Sequence, residues 1–286
     1  MKSEQQPPFG ASSSVLYSLA IITALGLSGS TVFAAATAND TASNYSGGGW
    51  GATPPNDGTG FGAWSITVNN NNSPPYVGTY LDTGSPVVSG GYSWATYANG
   101  GGNNGSISIL RAFTPGALSG SSSLYNQTFS VDLSSGGVGN GSGGPPNSEL
   151  SIGLGNAFSF SYLGTGSDNF LFSVDGGTPT TTPVGFSALN AGMVVSLTIS
   201  GALNSPSEDY SLSVSAISGG SPLYTQNGNF DSSVYNTSDF SYLDSNTANN
   251  NYFNNLNITT EVPEPSTMVL GAAGLVTLLL LQRRRL

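Results

Sequence analysis

The side chains of this chain that could do chemistry are few and of restricted kinds. There is no His and no Cys among 286 residues. That removes a Ser/His/Asp triad, a Cys nucleophile, zinc sites of the usual N/S ligands, haem or iron–sulfur ligation and a redox disulfide. Carboxylates remain. A glycosidase needs two of them face to face, about 5–5.5 Å apart for retention or 6.5–9.5 Å for inversion. Ahead of the C-terminal flank the body offers Glu149 and Glu208. Neither stands in an E-x-D-x-x-E strand motif: Glu149 opens a strand and Glu208-Asp209 reads as a solvated turn. No catalytic residue is expected.

Oxygen-rich loops could hold a hard cation, and Ca²⁺ suits this composition better than any transition metal. The candidates are Asn56-Asp57, Asp168-Asn169 and the stretch from Asp231 to Asp244. None matches a D-x-[DN]-x-[DN]-G loop, so Asx turns are the plainer reading and no cofactor or metal site is assigned. Aromatic residues give the other chemical option. Tyr92 and Trp94 alternate on one strand face with Tyr97 nearby, and Trp50 and Trp64 could extend the group. Such a platform stacks on sugar rings, yet Tyr and Trp also anchor the cores of all-β proteins. Which face Trp94 occupies decides between carbohydrate binding and core packing. Arg111, in Ser108-Ile109-Leu110-Arg111, reads as a mid-strand residue locked to a carboxylate.

Charge narrows the partners. The net charge is −10, and only 7% of residues are charged. Lys2 and Arg283, Arg284 and Arg285 stand at the ends, leaving Arg111 as the basic residue of the body. Nucleic acid and anionic lipid both need Lys/Arg clusters, so neither is an expected partner.

The elements that must position these residues are strands. Apolar residues alternate with polar ones at Phe129, Val131, Leu133; at Leu150, Ile152, Leu154; at Phe158, Phe160, Tyr162; and at Phe170, Phe172, Val174. The pattern returns at Val195, Leu197, Ile199 and at Tyr210, Leu212, Val214, Ala216. Gly, Asn, Ser and Pro clusters separate the runs, and Asp175-Gly176 predicts a tight turn. No 3.6-residue apolar period persists over three turns. The body is therefore expected to be all-β, a single antiparallel β-sandwich or jelly roll of roughly a dozen short strands. It should cover residues 63–260, after an irregular leader over 37–62 that is rich in Gly, Pro, Asn and Thr.

Both ends read as addresses. Val15 to Leu27 is an apolar run with Lys2 before it and Ala34, Ala35, Ala36 and Ala38 after it, which predicts a secretory signal helix over residues 1–36. At the other end Val262-Pro263-Glu264-Pro265 precedes an apolar run from Met268 to Leu281, then Arg283-Arg284-Arg285. A helix through that run would nearly cross a bilayer, with the arginines held inside and the body outside. Pro-Glu-Pro, apolar helix and basic terminus in this order resemble the PEP-CTERM sorting signal of Gram-negative bacteria, over residues 261–286. The resemblance implies recognition of Val262, Pro263, Glu264 and Pro265 by exosortase, a membrane transpeptidase. It also implies a transient single transmembrane helix with Arg283, Arg284 and Arg285 as stop-transfer cluster, following export through the Sec translocon and signal peptidase. More loosely, Gly58 to Trp64, Tyr97 to Gly101, Arg111-Ala112-Phe113 and Asn251 to Ile258 resemble an extracellular β-sandwich similar to concanavalin-A-like jelly rolls. The expectation is an exported cell-surface or matrix protein, structural or adhesive within an exopolysaccharide or biofilm. A lectin-like carbohydrate-binding module is the alternative and a glycan hydrolase the third reading.

Overall fold

The computed structural model describes residues 33–263 apart from 48, 52, 71–75, 99–104, 114–123, 137–147, 165–167, 203–205 and 248. The chain divides into two units, Ala35–Val262 and the two ends, Met1–Ala34 with Pro263–Leu286. Residues 1–32 of the expected signal helix and the apolar run from Met268 to Leu281 lie outside the described residues, while residues 33–36, expected to close that helix, are strand. Among the described residues no helix is long and apolar enough to cross a membrane.

The strands are β1 (Phe33–Asp40), β2 (Phe61–Asn69), β3 (Val77–Asp82), β4 (Ser93–Ala98), β5 (Ser106–Phe113), β6 (Leu124–Ser135), β7 (Glu149–Leu154) and β8 (Phe158–Leu163). They continue as β9 (Asn169–Val174), β10 (Thr180–Gly185), β11 (Met193–Ala202), β12 (Glu208–Ala216), β13 (Tyr224–Phe230), β14 (Asp239–Ser245) and β15 (Asn250–Pro263). One sheet runs β13-β12-β11-β6-β15-β4-β3 with β1 also on β15, and the other runs β10-β9-β8-β7-β14-β5-β2. This is an all-β sandwich of two antiparallel sheets.

Every alternating run lies where its period puts it. Phe129, Val131 and Leu133 pair with Leu197, Val195 and Met193, all pointing between the sheets and all buried. The second sheet answers with Phe240, Tyr242, Ile152 and Phe160. Aromatic rings close the gap: Phe129 meets Phe240 at 5.8 Å, and Tyr242 meets Phe253 at 4.6 Å between centroids. Such pairs contribute about 0.5–1.5 kcal/mol each beyond their buried area. At the predicted turn Asp175 (φ 55°) and Gly176 (φ 61°) both take positive φ, as a tight hairpin requires, and Gly177 N–H closes it onto Val174 O at 2.8 Å.

Three features differ from expectation. The segment 37–62 is built into the sandwich: β1 pairs with β15, a 3₁₀ turn follows at Ala42–Tyr45, and Ala42, Tyr45 and Trp50 are buried. Its few apolar residues lack a period because they fill one end of the core from an irregular path. A six-residue helix, α1 (Phe186–Ala191), carries the chain from one sheet to the other and buries Leu189. The stretch Asn251 to Ile258 reads in sequence as a closing strand with Phe253 inward and the asparagines in the adjoining loop; Phe253 does point inward, but the asparagines stay in the strand. β15 makes a bulge between Asn254 and Asn257, with Asn255 at φ 48°. Asn254 is buried there and staples the surrounding loops. Its Oδ1 accepts from Ala42 N, and its Nδ2 donates to Val87 O and Tyr92 O, all between 2.7 and 2.9 Å.

Candidate functional site

β4 reads Ser-Trp-Ala-Thr-Tyr-Ala, with Trp94, Thr96 and Ala98 facing the core and Ala95 and Tyr97 facing out. Trp94 has no exposed surface and sits in a cage of Tyr45, Trp50, Trp64 and Phe253, its ring 5.1 Å from those of Trp64 and Phe253. The expected platform of Tyr92, Trp94 and Tyr97 therefore does not assemble. Trp94 is core, Tyr92 packs partly against that core just before β4, and Tyr97 lies on the opposite face.

Tyr97 instead joins two tyrosines the sequence reading did not select. In register across β3, β4 and β15 run Gly78, Tyr97, Asn250 and, one step on, Tyr80, Ala95, Tyr252. All three tyrosines are half-buried. The hydroxyl end of Tyr97 leans over β3: a Cβ on Gly78 would stand 2.4 Å from it. Tyr80 and Tyr97 lie 6.1 Å apart between ring centroids. Burial, helped by the neighbouring Tyr252 hydroxyl, raises the pKa of Tyr80. Ala95, fully buried between the two tyrosines, is small enough to let them meet. A visible signal was the alternation itself, since Tyr97 and Trp94 have opposite parity on one strand.

The same outer face continues as a lattice of neutral polar groups. In register lie Thr259, Thr128, Thr198, Ser211 and Asn227, and beside them Asn257, Ser130, Ser196, Ser213 and Thr225. Thr128 and Thr198 share a hydrogen bond at 3.0 Å, and Asn229 donates to Asp209 at 2.7 Å. Around Thr198, Ser200, Asp209, Ser211, Asn227 and Asn229 the face forms a shallow depression. At the bulge Asp132 accepts from Asn255 at 2.5 Å, and burial pushes its pKa up to about 6 against that bond.

Arg111 makes the ion pair that its mid-strand position predicted. It points inward and is fully buried against Asp40, with the guanidinium 4.0 Å from the Trp64 ring and 4.6 Å from that of Phe61. Nη2 donates to Asn56 at 2.8 Å and Nε to Gly62 O at 3.1 Å. Asp40 also accepts from Tyr45 at 2.5 Å, from Asn44 at 2.8 Å and from Thr41 N at 2.8 Å. This cluster has the form of a lock, with the guanidinium and the carboxylate both fully buried and engaged.

The other expected sites are spread through the fold. Glu149 lies in β7 and Glu208 in β12, on different sheets, and Glu208 is fully buried rather than solvated, where Ser232 Oγ donates to it. Of the candidate cation loops, Asn56 is occupied by Arg111 and Phe61 O, and Asp231 closes an Asx turn onto Ser233 N at 2.9 Å. Asp168 O accepts from Phe186 N. No group of three metal-ligating side chains converges among the described residues.

β15 leads out of the sheet toward the C-terminus. It stays paired with β6 as far as Glu261 opposite Asn126, and its last strand residue is Pro263, the first proline of Pro-Glu-Pro. Residues 261–285 match the PEP-CTERM protein-sorting motif. The PEP-CTERM motif thus begins on the last paired residue of a strand inside the sheet. The motif implies exosortase processing and export of the chain that carries it. No curated relative matches the chain in sequence. The body is similar in fold to metal-free lectin I-B4 from Griffonia simplicifolia, at 10% identity and TM-score 0.41, covering 78% of this chain and 98% of the lectin. It is also similar to the CBM2 module of the evolved Dit of Lactobacillus casei BL23 phage J-1, at 12% identity and TM-score 0.39, covering 80% and 99%. A third likeness is to the catalytic domain of a glycoside hydrolase family 131 protein from Coprinopsis cinerea, at 14% identity and TM-score 0.42, covering 69% and 83%.

Proposed function

We propose that this protein is an exported, exosortase-processed β-sandwich of a Gram-negative cell surface that holds to extracellular polysaccharide and performs no chemistry of its own. The polar lattice carries the reading. Across β15, β6, β11, β12 and β13 the outer face presents hydroxyl and amide groups in register and almost no charge. Such groups exchange hydrogen bonds with a hydrated, hydroxyl-rich polymer at little desolvation cost, and they attract neither nucleic acid nor anionic lipid. The sorting motif supplies the route: signal peptidase and the Sec translocon for export, exosortase at Val262 to Pro265, and Arg283 to Arg285 as stop-transfer cluster for a transient membrane helix.

Two measurements test this reading. Intact mass and location of the protein, compared in cells with and without the transpeptidase, should show loss of the segment after Pro265 and release from the membrane only when the enzyme is present. Electrophoresis of the recovered protein through gels containing polysaccharides should show retardation. Retention of the C-terminal segment in both strains sinks the processing step, and free migration in every gel sinks the glycan contact.

A further inference from the structure

We infer that Tyr80, Tyr97 and Tyr252 form a stacking subsite for the pyranose rings of a neutral glycan. The inference rests on the glycan-contact reading above and specifies both the glycan class and the place where it is held. The three rings stand on the outer face of three neighbouring strands, β3, β4 and β15, the same face that carries the polar lattice. Two strand spacings, about 10 Å, separate Tyr80 from Tyr252 along the sheet.

The rings are held before any ligand arrives. Tyr97 leans over Gly78, where a Cβ would meet its Cζ at 2.7 Å, so it lies along the sheet instead of standing off it. Tyr80 packs against Tyr97 at 6.1 Å between centroids and stands in register with Tyr252 across Ala95, which is fully buried. A surface aromatic group that is already ordered loses little side-chain entropy on binding. Tyr97 also covers the bare backbone at Gly78, as aromatic side chains do for edge-strand glycines. That role accounts for one ring and leaves the Tyr80–Tyr252 pair, which covers an alanine, unexplained.

Charge selects the ligand. The body's basic residue, Arg111, is fully buried against Asp40, so no guanidinium or ammonium of the body can reach this face. Asp82 ends β3 beside the tyrosines, and Asp209 is exposed at the depression. Uronates and sulfated sugars meet like charge here, whereas a neutral pyranose places its C–H face on the rings and its hydroxyls on the Ser, Thr and Asn groups alongside.

The test is affinity electrophoresis of the full chain, recovered from cells, in gels of hydroxyethyl cellulose, β-1,3-glucan and galactomannan against alginate and hyaluronan. Retardation is expected in at least one neutral gel and in neither acidic gel. Tyr97→Ala should weaken it about tenfold, the scale of losing one aromatic anchor, while Tyr97→Phe, which keeps the ring, should retain it. Should Tyr97→Ala fail to fold, Tyr252→Leu keeps an apolar cover on Ala95, removes a ring and should show the same loss. Retardation that survives ring removal but falls with Ser211→Tyr on the lattice overturns the subsite and leaves the glycan-contact reading standing. Preference for alginate overturns the neutral class, and no retardation of the wild type in any gel overturns both.

Discussion

Replacing Asp40 by alanine would leave the Arg111 guanidinium buried without its counter-charge. The two side chains are fully enclosed, and the carboxylate is also the acceptor for Tyr45, Asn44 and Thr41 N. Removing one partner of a buried pair costs about 3–5 kcal/mol, because the surviving charge is desolvated and unmatched. The cation–π contacts to Trp64 and Phe61 remain and offset part of that loss, on the order of 1 kcal/mol. The net loss is then about 2–4 kcal/mol, and for a domain of this size each kcal/mol lowers Tm by about 2–4 °C, so a fall of about 4–16 °C is expected. Urea unfolding followed by tryptophan fluorescence measures it directly, since Trp50, Trp64 and Trp94 all pack at this end of the core. Residues 41–57 should also become sensitive to protease, because Asp40 and Arg111 tie that segment to β5. Asp40→Leu combined with Arg111→Met should recover several kcal/mol over Asp40→Ala, since no charge is then stranded. A loss below about 1 kcal/mol for Asp40→Ala, with unchanged proteolysis, would refute the claim that this segment is locked into the fold.

Asp132 makes stability depend on pH. Its folded pKa, about 6, lies above the ordinary Asp value of 3.8, so the folded state binds the proton more tightly than the unfolded chain. Its contribution is therefore fully present below about pH 4 and is lost as pH rises to 6, a change of about 3 kcal/mol. Asp132→Asn should flatten that part of the melting profile and raise Tm at pH 7; an unchanged profile between pH 4 and 7 would contradict it. Gly155, at φ 56° beside the β7–β8 turn, leaves no room for a side chain, because a Cβ there would stand 1.9 Å from Asn236 O. That neighbour is backbone and cannot swing away, so Gly155→Ala should cost more than about 3 kcal/mol in urea titration.

Strand alternation was legible wherever one face is aliphatic or aromatic and the other Ser or Thr, as in Val195-Ser196-Leu197-Thr198-Ile199. A buried partner for Arg111 was legible too, since Ile107, Ile109, Arg111 and Phe113 share one parity. β4 defeated the same logic because Trp94 and Tyr97 place aromatic rings on opposite faces, and nothing local says which face is closed by the second sheet. Segment 37–62 was missed because Ala42, Tyr45 and Trp50 follow no period, and their burial depends on residues from β2, β4 and β15 that are distant in sequence. Glu208 looked solvated for a similar reason: its cover, Ser232, comes from beyond β13.

β15 also has a mechanical consequence. Its bonds to β6 extend from Asn251–Ser135 to Glu261–Asn126, interrupted by the bulge, and its other flank carries β4 and β1. Antiparallel ladder bonds lie across the strand axis. A pull entering at Pro263 along the strand therefore loads that ladder in shear, with its bonds sharing the force, instead of unzipping them singly. A chain tethered through the residues that follow β15 would hang from a strand paired on both flanks, and tension on it would pass into the sheet without peeling an edge.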